Sequence, residues 1–353
     1  MKITDIGCHV LIVPDVRKNV TSSAQDEFEV RVYTDEGITG YGECSDQRTP
    51  HGVVATIKDL TPVLMGQEPR PFEMRFWDMI RATRQSPGGI AAKAIAGIDC
   101  ALVDIKAKAL GISVTELFGG PTRDTVRVYW SHCGTSRARA HELIGVPPLR
   151  TLEDVADLGR EVVQKGFTAL KTNIVIPGEP ATVYGGGFAL GGGTTDGTIS
   201  TPVLRHIENL IGTFRDAVGP DVDINLDLNF NFKPEACMRI AKVLEQFNML
   251  WLEIDMYDPE AILQIKQSTS TKICTGENLF YMREFLPYFE SRAADVFMID
   301  VAWNGYSQSK KIGDLAEVYQ LNVAPHNYYS HMSTYMCASL WATLPNVRIM
   351  EID

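Results

Sequence analysis

The sequence of 353 residues lacks the signatures of several protein classes. It contains no CxxC pair, and its seven cysteines are scattered along the chain: Cys8, Cys44, Cys100, Cys133, Cys237, Cys274 and Cys337. An odd, dispersed set predicts reduced and mostly buried thiols in a cytoplasmic protein, not a disulfide framework. No GxGxxG follows a predicted strand and opens a helix, which disfavours a doubly wound dinucleotide-binding sheet.

The chain also lacks a basic surplus and a long hydrophobic run. Its net charge of −11 argues against nucleic-acid binding through a basic surface. No apolar stretch could span a bilayer, and residues 1–6 do not begin a signal-peptide core. With 45% hydrophobic and 22% charged residues, we expect a globular cytoplasmic protein without a membrane partner.

The N-terminal third differs in pattern from the rest. Residues 1–60 alternate as strands do, whereas residues 53–118 have helical periodicity and are rich in Ala, Ile and Leu. Gly119-Gly120-Pro121 is a strong break. We therefore predict an α+β domain over 1–120 and a second domain over 121–353.

The second domain alternates between strand and helix patterns. Strands are predicted at 126–131, 167–172, 222–228, 249–253, 272–276, 295–300, 321–325 and 347–351. Helical periodicity is found at 152–165, 201–217, 234–247, 258–268, 281–291, 308–319 and 333–343. Eight strands in βα order predict an α/β fold, a (β/α)₈ barrel with functional groups at the C-terminal strand ends.

Three acidic residues stand at the ends of successive predicted strands. Asp227, Glu253 and Glu277 recur at an interval of roughly 25 residues, about one strand, one helix and two loops. Neighbouring parallel strands would bring the three carboxylates together, where they repel one another unless a cation lies among them. An all-oxygen set of this kind suits Mg²⁺.

These acids, with a histidine on the seventh strand, resemble the enolase superfamily and most closely its mandelate racemase and sugar-acid dehydratase branch. A second match is the segment 94–108 with its continuation through 113–119, which is similar to the N-terminal signature of that branch. The resemblance implies an N-terminal capping domain, Mg²⁺ on the three acids, a small carboxylate substrate and a symmetric homo-oligomer. Family members typically continue past the eighth strand, so the end at Asp353 leaves truncation or loss of that segment open.

The resemblance also implies a catalytic dyad of His326 and Asp300, at the ends of strands seven and six. A carboxylate on one ring nitrogen orients the imidazole and leaves the other nitrogen to accept a proton. His331 is the alternative base in the same loop. Glu351 ends the eighth strand, where a protonated carboxyl could donate a hydrogen bond to the substrate.

The second barrel strand distinguishes between reactions. Racemases of this branch carry Lys-x-Lys, because inversion needs a base on each face, whereas this chain has Lys171-Thr-Asn173. Asparagine cannot accept the α-proton, although its amide can donate to an oxygen. Lys171 could hold the substrate carboxylate. Asn229 stands where galactonate dehydratases have a histidine that acts as general acid.

Substrate selection in the family comes largely from loops of the capping domain. Arg17 and Arg48 lie in polar loops of that kind. Trp303 and Tyr328 follow strand ends and are candidates for the wall of the pocket. The glycine-rich stretch 177–200 is either an exposed insertion or a lid over the site.

Together, these features predict a Mg²⁺-dependent dehydratase of an aldonate or aldarate. His326 would remove the proton α to the carboxylate, and loss of the β-hydroxyl would give a 2-keto-3-deoxy acid. One alternative is a racemase or epimerase of an α-hydroxy or related carboxylic acid. The other is a barrel that binds a metal or an acid without catalysis.

Overall fold

The computed structural model describes residues 1–12, 26–45, 50–185 and 195–352. The N-terminal part has an antiparallel sheet in the order β1-β2-β3, followed by four helices. Its elements are β1 (Ile3–Ile12), β2 (Asp26–Thr34), β3 (Thr39–Glu43), α1 (Pro50–Leu64), α2 (Phe72–Ala82), α3 (Gly89–Leu110) and α4 (Val114–Leu117). This is the predicted α+β arrangement of a hairpin sheet and helices.

Helix α3 is the centre of this N-terminal part. Most of its 22 residues are buried, because it packs on β3, α1 and α2 and also on the barrel. Gly42 allows β3 to touch the helix backbone, since a Cβ there would lie 2.2 Å from the carbonyl oxygen of Gly97. The helix ends at Gly111, whose φ of 68° is the left-handed conformation that favours glycine at a helix C-terminus.

The rest of the chain forms an eight-stranded parallel barrel surrounded by helices. Its strands are β4 (Val128–Trp130), β5 (Ala169–Thr172), β8 (Asp223–Asp227), β9 (Trp251–Glu253), β10 (Ile273–Thr275), β11 (Val296–Asp300), β12 (Asn322–His326) and β13 (Met350–Ile352). A short hairpin, β6 (Val175–Ile176) and β7 (Thr182–Val183), follows the second barrel strand. The barrel is nearly closed, with a single parallel bridge from Val323 to Val347 between its last two strands.

Eight helices accompany these strands. They are α5 (Thr135–Ile144), α6 (Leu152–Gln164), α7 (Thr201–Val218), α8 (Pro234–Leu244), α9 (Pro259–Gln267), α10 (Tyr281–Ser291), α11 (Val301–Val318) and α12 (His331–Trp341). A 3₁₀ turn, Glu245–Phe247, extends α8. The predicted (β/α)₈ barrel is confirmed. Helix α5 was not predicted, and α11 begins seven residues before the predicted segment.

Apolar side chains fill the barrel below the C-terminal strand ends. Tyr129 and Trp251 meet edge to face with ring centroids 5.9 Å apart. They pack in one buried cluster with Leu250, which precedes Trp251, and with residues of five other strands or their flanks: Ala169, Cys274, Val296, Met298, Ala324 and Ile349. This layer closes the barrel from below, so polar side chains at the strand ends have a floor that excludes water.

Helices α3 and α11 join the two parts of the molecule. The backbone N–H of Ser307 donates to Asp99 Oδ2 at 2.9 Å, and the Ser307 hydroxyl donates to Asp99 Oδ1. Gly305 interrupts α11 with a φ of 69°, and a Cβ there would lie 2.6 Å from Asp99 Oδ2. None of the helices in the described part of the chain combines the length and apolarity that a membrane-spanning segment requires.

Candidate active site

Strand register brings four of the predicted residues to the same end of the barrel. Asp227 and Glu253 are register partners on β8 and β9, and Asp300 and His326 are partners on β11 and β12. In a parallel sheet, register partners at the C-terminal ends lie side by side and at equal height. The acid pair and the predicted dyad therefore lie at the same end of the barrel.

A cluster of buried carboxylates lies at this end. Oxygen atoms of Asp227, Glu253 and Asp255 lie within 4.8 Å of one another. Asp255, two residues beyond the end of β9, was not identified from the sequence. Its only sequence signal is its position in the loop directly after Glu253.

The chemistry of this cluster fits a cation. Both carboxylate oxygens of Asp255 and Oε2 of Glu253 are buried without a hydrogen-bond partner among the described residues. Burial first, and repulsion from neighbouring acids in addition, raise the pKa values of Glu253, Asp255 and Glu277. Uncompensated carboxylates are costly to bury, and a hard divalent ion with oxygen ligands would remove that cost. This supports a metal site formed by Asp227, Glu253 and Asp255.

Glu277 follows β10 and lies between the acid cluster and the dyad. Its Oε2 atom is 3.1 Å from Nε2 of His326, and Asp255 and Asp227 contribute to its electrostatic environment. It is thus close to the acids, but its carboxylate pairs with the imidazole in this structure. The role of Glu277 as a third metal ligand stays a prediction.

The Lys171 side chain lies inside the barrel, with its ammonium between two carboxylates. Its ammonium lies 2.7 Å from Glu351 Oε1 and 3.3 Å from Glu253 Oε1, and its side chain is 2% exposed. Although burial lowers the pKa of Lys171, the two carboxylates raise it well above its usual value. Lys171 is therefore a structural cation that neutralises part of the acid cluster.

Glu351 accepts hydrogen bonds from three groups. They are the Lys171 ammonium, the Ser131 hydroxyl and the backbone N–H of Asn327 at 2.8 Å. Burial raises the pKa of Glu351, but the positive charges of Lys171 and His326 outweigh it and lower the pKa to about 2. In this structure Glu351 thus accepts hydrogen bonds; its role as a donor to the substrate stays a prediction.

His326 and Asp300 form the predicted pair. Nδ1 of His326 lies 2.6 Å from Asp300 Oδ2, and the imidazole is 3% exposed. The other Asp300 oxygen accepts the backbone N–H of Trp303 at 3.0 Å, so this aspartate also caps α11. Burial lowers the pKa of His326, but the negative charges of Glu277 and Asp300 raise it by a larger amount. The net result is an increase of the pKa from 6.5 to about 10.

An aromatic group surrounds this pair. The Tyr329 hydroxyl donates to Asp300 Oδ2 at 2.5 Å and accepts the indole N–H of Trp303 at 2.8 Å. The Tyr328 ring lies edge to face with the imidazole at 5.1 Å, and the Trp303 ring stacks on Phe280 at 4.9 Å. Trp303 and Tyr328 are thus beside the dyad, as expected of wall residues. Tyr329 was not identified from the sequence.

The two asparagines orient a carboxylate. Nδ2 of Asn173 and Nδ2 of Asn229 donate to Asp227 Oδ2 at 3.0 and 2.8 Å. The backbone N–H of Asn229, whose φ is 51°, donates to Asp227 Oδ1 at 2.7 Å. In this structure the Asn173 and Asn229 amides therefore hold Asp227 and do not point to a separate oxygen of a ligand.

The remaining predicted residues lie outside the buried site or outside the described residues. His331 is the exposed first residue of α12, so it does not share the buried site of His326. Arg17 and Arg48 fall outside the described residues, as does part of the glycine-rich stretch, 186–194.

Two family models match this chain. One, described as enolase C-terminal domain-like, matches residues 154–353. The other, the mandelate racemase / muconate lactonizing enzyme N-terminal domain, matches residues 9–119. The chain belongs to the mandelate racemase and muconate lactonizing enzyme family. The resemblance predicted from the strand-end acids and the 94–119 segment is confirmed.

Curated relatives of this chain are named as dehydratases of sugar acids. A D-xylonate dehydratase of Haloferax volcanii is 28% identical over 96% of this chain and 78% of its own length. A D-mannonate dehydratase of Rhizorhabdus wittichii is 26% identical over 99% of this chain and 84% of its own length. These names belong to the enzyme class that the sequence predicts.

Two crystal structures of one Burkholderia xenovorans protein, described as a candidate L-alanine-DL-glutamate epimerase, match the whole chain at 35% identity. Their TM-scores are 0.91 and 0.90, and the match covers 87% and 85% of those chains. The second structure holds magnesium and fumarate.

Proposed function

We propose that this protein is a divalent-metal-dependent dehydratase of a sugar acid, an aldonate or an aldarate. The observation that carries the proposal is the Asp300–His326 pair, 2.6 Å apart, opening onto the buried acid cluster. The proton α to a carboxylate is very weakly acidic, so its removal needs a positioned base and strong charge stabilisation. Mg²⁺ would supply that stabilisation when bound.

Asp227, Glu253 and Asp255 would hold the cation, with Glu277 as a further ligand. Asn173 and Asn229 support this role, because their amides fix the Asp227 carboxylate in one orientation. Groups that orient a metal ligand by hydrogen bonds in this way are often needed for metal affinity. Lys171 limits the excess negative charge without occupying the cluster itself.

His326 is the proposed base. Asp300 holds Nδ1, so Nε2 is the nitrogen that would take the α-proton. Glu277 now pairs with Nε2 and is the main cause of the raised pKa of His326, so in this structure the imidazole holds its proton. Glu277 must turn toward Asp227 and Glu253, which lowers that pKa, before His326 can act as a base. After abstraction, His326 would return the proton to the departing β-hydroxyl on the same face, because Asn229 cannot act as an acid.

The second barrel strand, where racemases of this branch have a further base, offers none in this chain. Lys171 is held as a cation by Glu253 and Glu351, and Asn173 is an amide engaged with Asp227. Racemisation needs a base on each face, whereas elimination needs one. The one-sided arrangement therefore supports dehydration, in agreement with the dehydratase names of the curated relatives.

A panel of aldonates and aldarates incubated with the protein and Mg²⁺, and assayed for 2-keto acids, tests this function. At least one member should yield a 2-keto-3-deoxy acid, and chelation of the metal should stop its formation. A crystal structure of the His326→Asn variant with the substrate bound should place the α-hydrogen and the β-hydroxyl on the same face, toward position 326. Their placement on opposite faces would contradict the return of the proton by His326.

The second candidate is an epimerase, which the 35% identity to the Burkholderia xenovorans protein favours. It predicts exchange of the α-hydrogen with solvent deuterium and no 2-keto acid. The third alternative, a barrel that binds without catalysis, predicts neither product nor exchange. The symmetric homo-oligomer also stays a proposal, which light scattering on the purified protein would test.

A further inference from the structure

A second cavity lies outside the barrel mouth. It has a volume of about 340 Å³ and lies between helices α2 and α3 of the N-terminal part and helices α10 and α11 of the barrel. Known ligand pockets have volumes of about 300–1,000 Å³, so this cavity can hold a small organic molecule. None of the residues proposed for catalysis or metal binding lines it.

The walls of this cavity are mainly apolar. Phe76 and Ile80 of α2 face Ile95 of α3 and Tyr281 at the start of α10, and Phe76 meets Tyr281 edge to face at 5.7 Å. Trp77, which is 52% exposed, lies at the edge. An apolar lining of this kind binds the hydrocarbon part of a ligand by removing it from water.

The charged residues that line the cavity are all cations, although the protein as a whole carries a net charge of −11. Lys311 pairs with Glu73 at 2.6 Å. Arg84 and Arg283 are exposed, and neither has an ion pair among the described residues. The two guanidinium groups give the cavity a positive rim suited to a carboxylate or another organic anion.

One polar side chain in the wall is available to a ligand. Gln308, on α11, is 4% exposed and lines the cavity, and its side-chain amide has no hydrogen bond among the described residues. Tyr281 also lines the cavity, but its hydroxyl is buried within the wall. The Gln308 amide can therefore supply a hydrogen bond to a ligand in the cavity.

We propose that this cavity binds an amphipathic organic anion, with the apolar part between α2 and α3 and the anionic group at Arg84 and Arg283. The site is separate from the barrel mouth, and the proposal does not depend on the reaction catalysed there. Octanoate is a suitable probe, because it combines an unbranched apolar chain with one carboxylate. Octanamide is its uncharged counterpart.

Isothermal titration calorimetry of the Mg²⁺-loaded protein with octanoate tests the proposal. One equivalent should bind, and octanamide should bind more weakly. Arg84→Glu and Arg283→Glu should each weaken octanoate binding roughly tenfold, since an attraction becomes a repulsion. Arg205→Glu is the matched control, because Arg205 is exposed on α7, has no ion pair among the described residues and does not line the cavity.

Two further variants address the cavity itself. Ala91→Phe, which fills part of the space, should abolish binding, and Gln308→Leu should weaken octanoate binding by removing a polar partner. If Ala91→Phe fails to fold, the surface arginine variants still decide the question. Octanoate binding that all these variants leave unchanged would overturn the proposal. Failure of octanoate to bind, with a change of oligomeric state in Arg84→Glu, would also overturn it and identify an interface between copies.

Discussion

Glu277 Oε2 lies 3.1 Å from Nε2 of His326, the ring nitrogen that is not held by Asp300. Both nitrogens of the imidazole thus face a carboxylate. Nε2, the ring nitrogen proposed to take the substrate proton, is paired with Glu277, a carboxylate close to the acid cluster. Movement of Glu277 would therefore connect cation binding to release of the base.

Replacement of His326 by Asn should remove the base and leave the acid cluster intact. We expect kcat to fall by about 10²–10⁴-fold, which is the usual contribution of a general base. Metal affinity, measured by calorimetry, should change little. His331→Asn is the control, since His331 is exposed on α12, and its activity should equal that of the unaltered protein. Loss of activity in His331→Asn alone would move the base to that residue.

Asp255→Asn tests the acid that sequence analysis missed. Because both oxygens of Asp255 lack partners beside Asp227 and Glu253, we expect Mg²⁺ affinity to fall by about 10–100-fold. Asp258→Asn is the matched control: Asp258 is an exposed N-cap of α9, and Asn caps a helix about as well as Asp, so neither stability nor metal affinity should change much. Equal affinities of Asp255→Asn and the unaltered protein would exclude Asp255 from the metal site.

Lys171→Met should destabilise the metal-free protein strongly. Glu253 and Glu351 would lose the ammonium between them, and an unpaired buried charge typically costs about 3–5 kcal/mol. Urea unfolding in EDTA measures the free energy. Adding Glu351→Gln should restore part of the loss, whereas Lys165→Met, at an exposed ion pair with Glu161, should cost at most about 1 kcal/mol. A small effect of Lys171→Met would show that the barrel interior admits water.

Asp99 should make stability depend on pH. Burial raises its pKa from 3.8 to about 6; the Ser307 hydrogen bonds and Lys311 oppose that rise, and Glu73 adds to it. The folded state holds the proton more tightly than the unfolded state, so this contribution to stability is present below pH 4 and is lost as pH rises through 6. A shift of about two units corresponds to about 3 kcal/mol.

Asp99→Asn keeps the shape of the side chain and removes this titration. The unfolding free energy of Asp99→Asn minus that of the unaltered protein should therefore increase from pH 4 to pH 7. Urea unfolding in EDTA at several pH values gives this difference, and other acids cancel in it. If unfolding free energy changes with pH in the same way in both proteins, the pKa of Asp99 is not raised. Water or the charge of Lys311 would then stabilise the Asp99 carboxylate in the folded state.

The barrel and its strand ends could be predicted because each strand is a short apolar run bounded by helical periodicity. Glu253 and Asp300 end their strands at the predicted residues, Asp227 ends its strand one residue before the predicted end, and His326 extends its strand by one. Helix α5 was missed because its residues have little apolar periodicity and Ala140 leaves helical geometry. The early start of α11 was hidden by Gly305, whose positive φ interrupts the helix, and by the burial of all of its first nine residues, which leaves no amphipathic pattern there.

The contacts within the site could be predicted only in part. Parallel pairing explains why Asp300 meets His326, since their strands are neighbours in the barrel order. The pairings of Lys171 with Glu351 and of Glu277 with His326 each join residues on, or just after, strands that are two apart in the barrel order. Neither pairing therefore appears in the local pattern or in adjacent register. Tyr329 reaches Asp300 through a loop whose path the sequence alone does not define.

Mass spectrometry of the reaction in D₂O, with the best sugar acid of the panel and Mg²⁺, tests the central claim most directly: His326 alone removes the α-proton and elimination follows. We expect a 2-keto-3-deoxy acid with one solvent deuterium at C3, unlabelled recovered substrate, and neither product nor exchange in His326→Asn. Recovered substrate labelled at the α-carbon, with inversion and no keto acid, would contradict the account and identify a two-base epimerase.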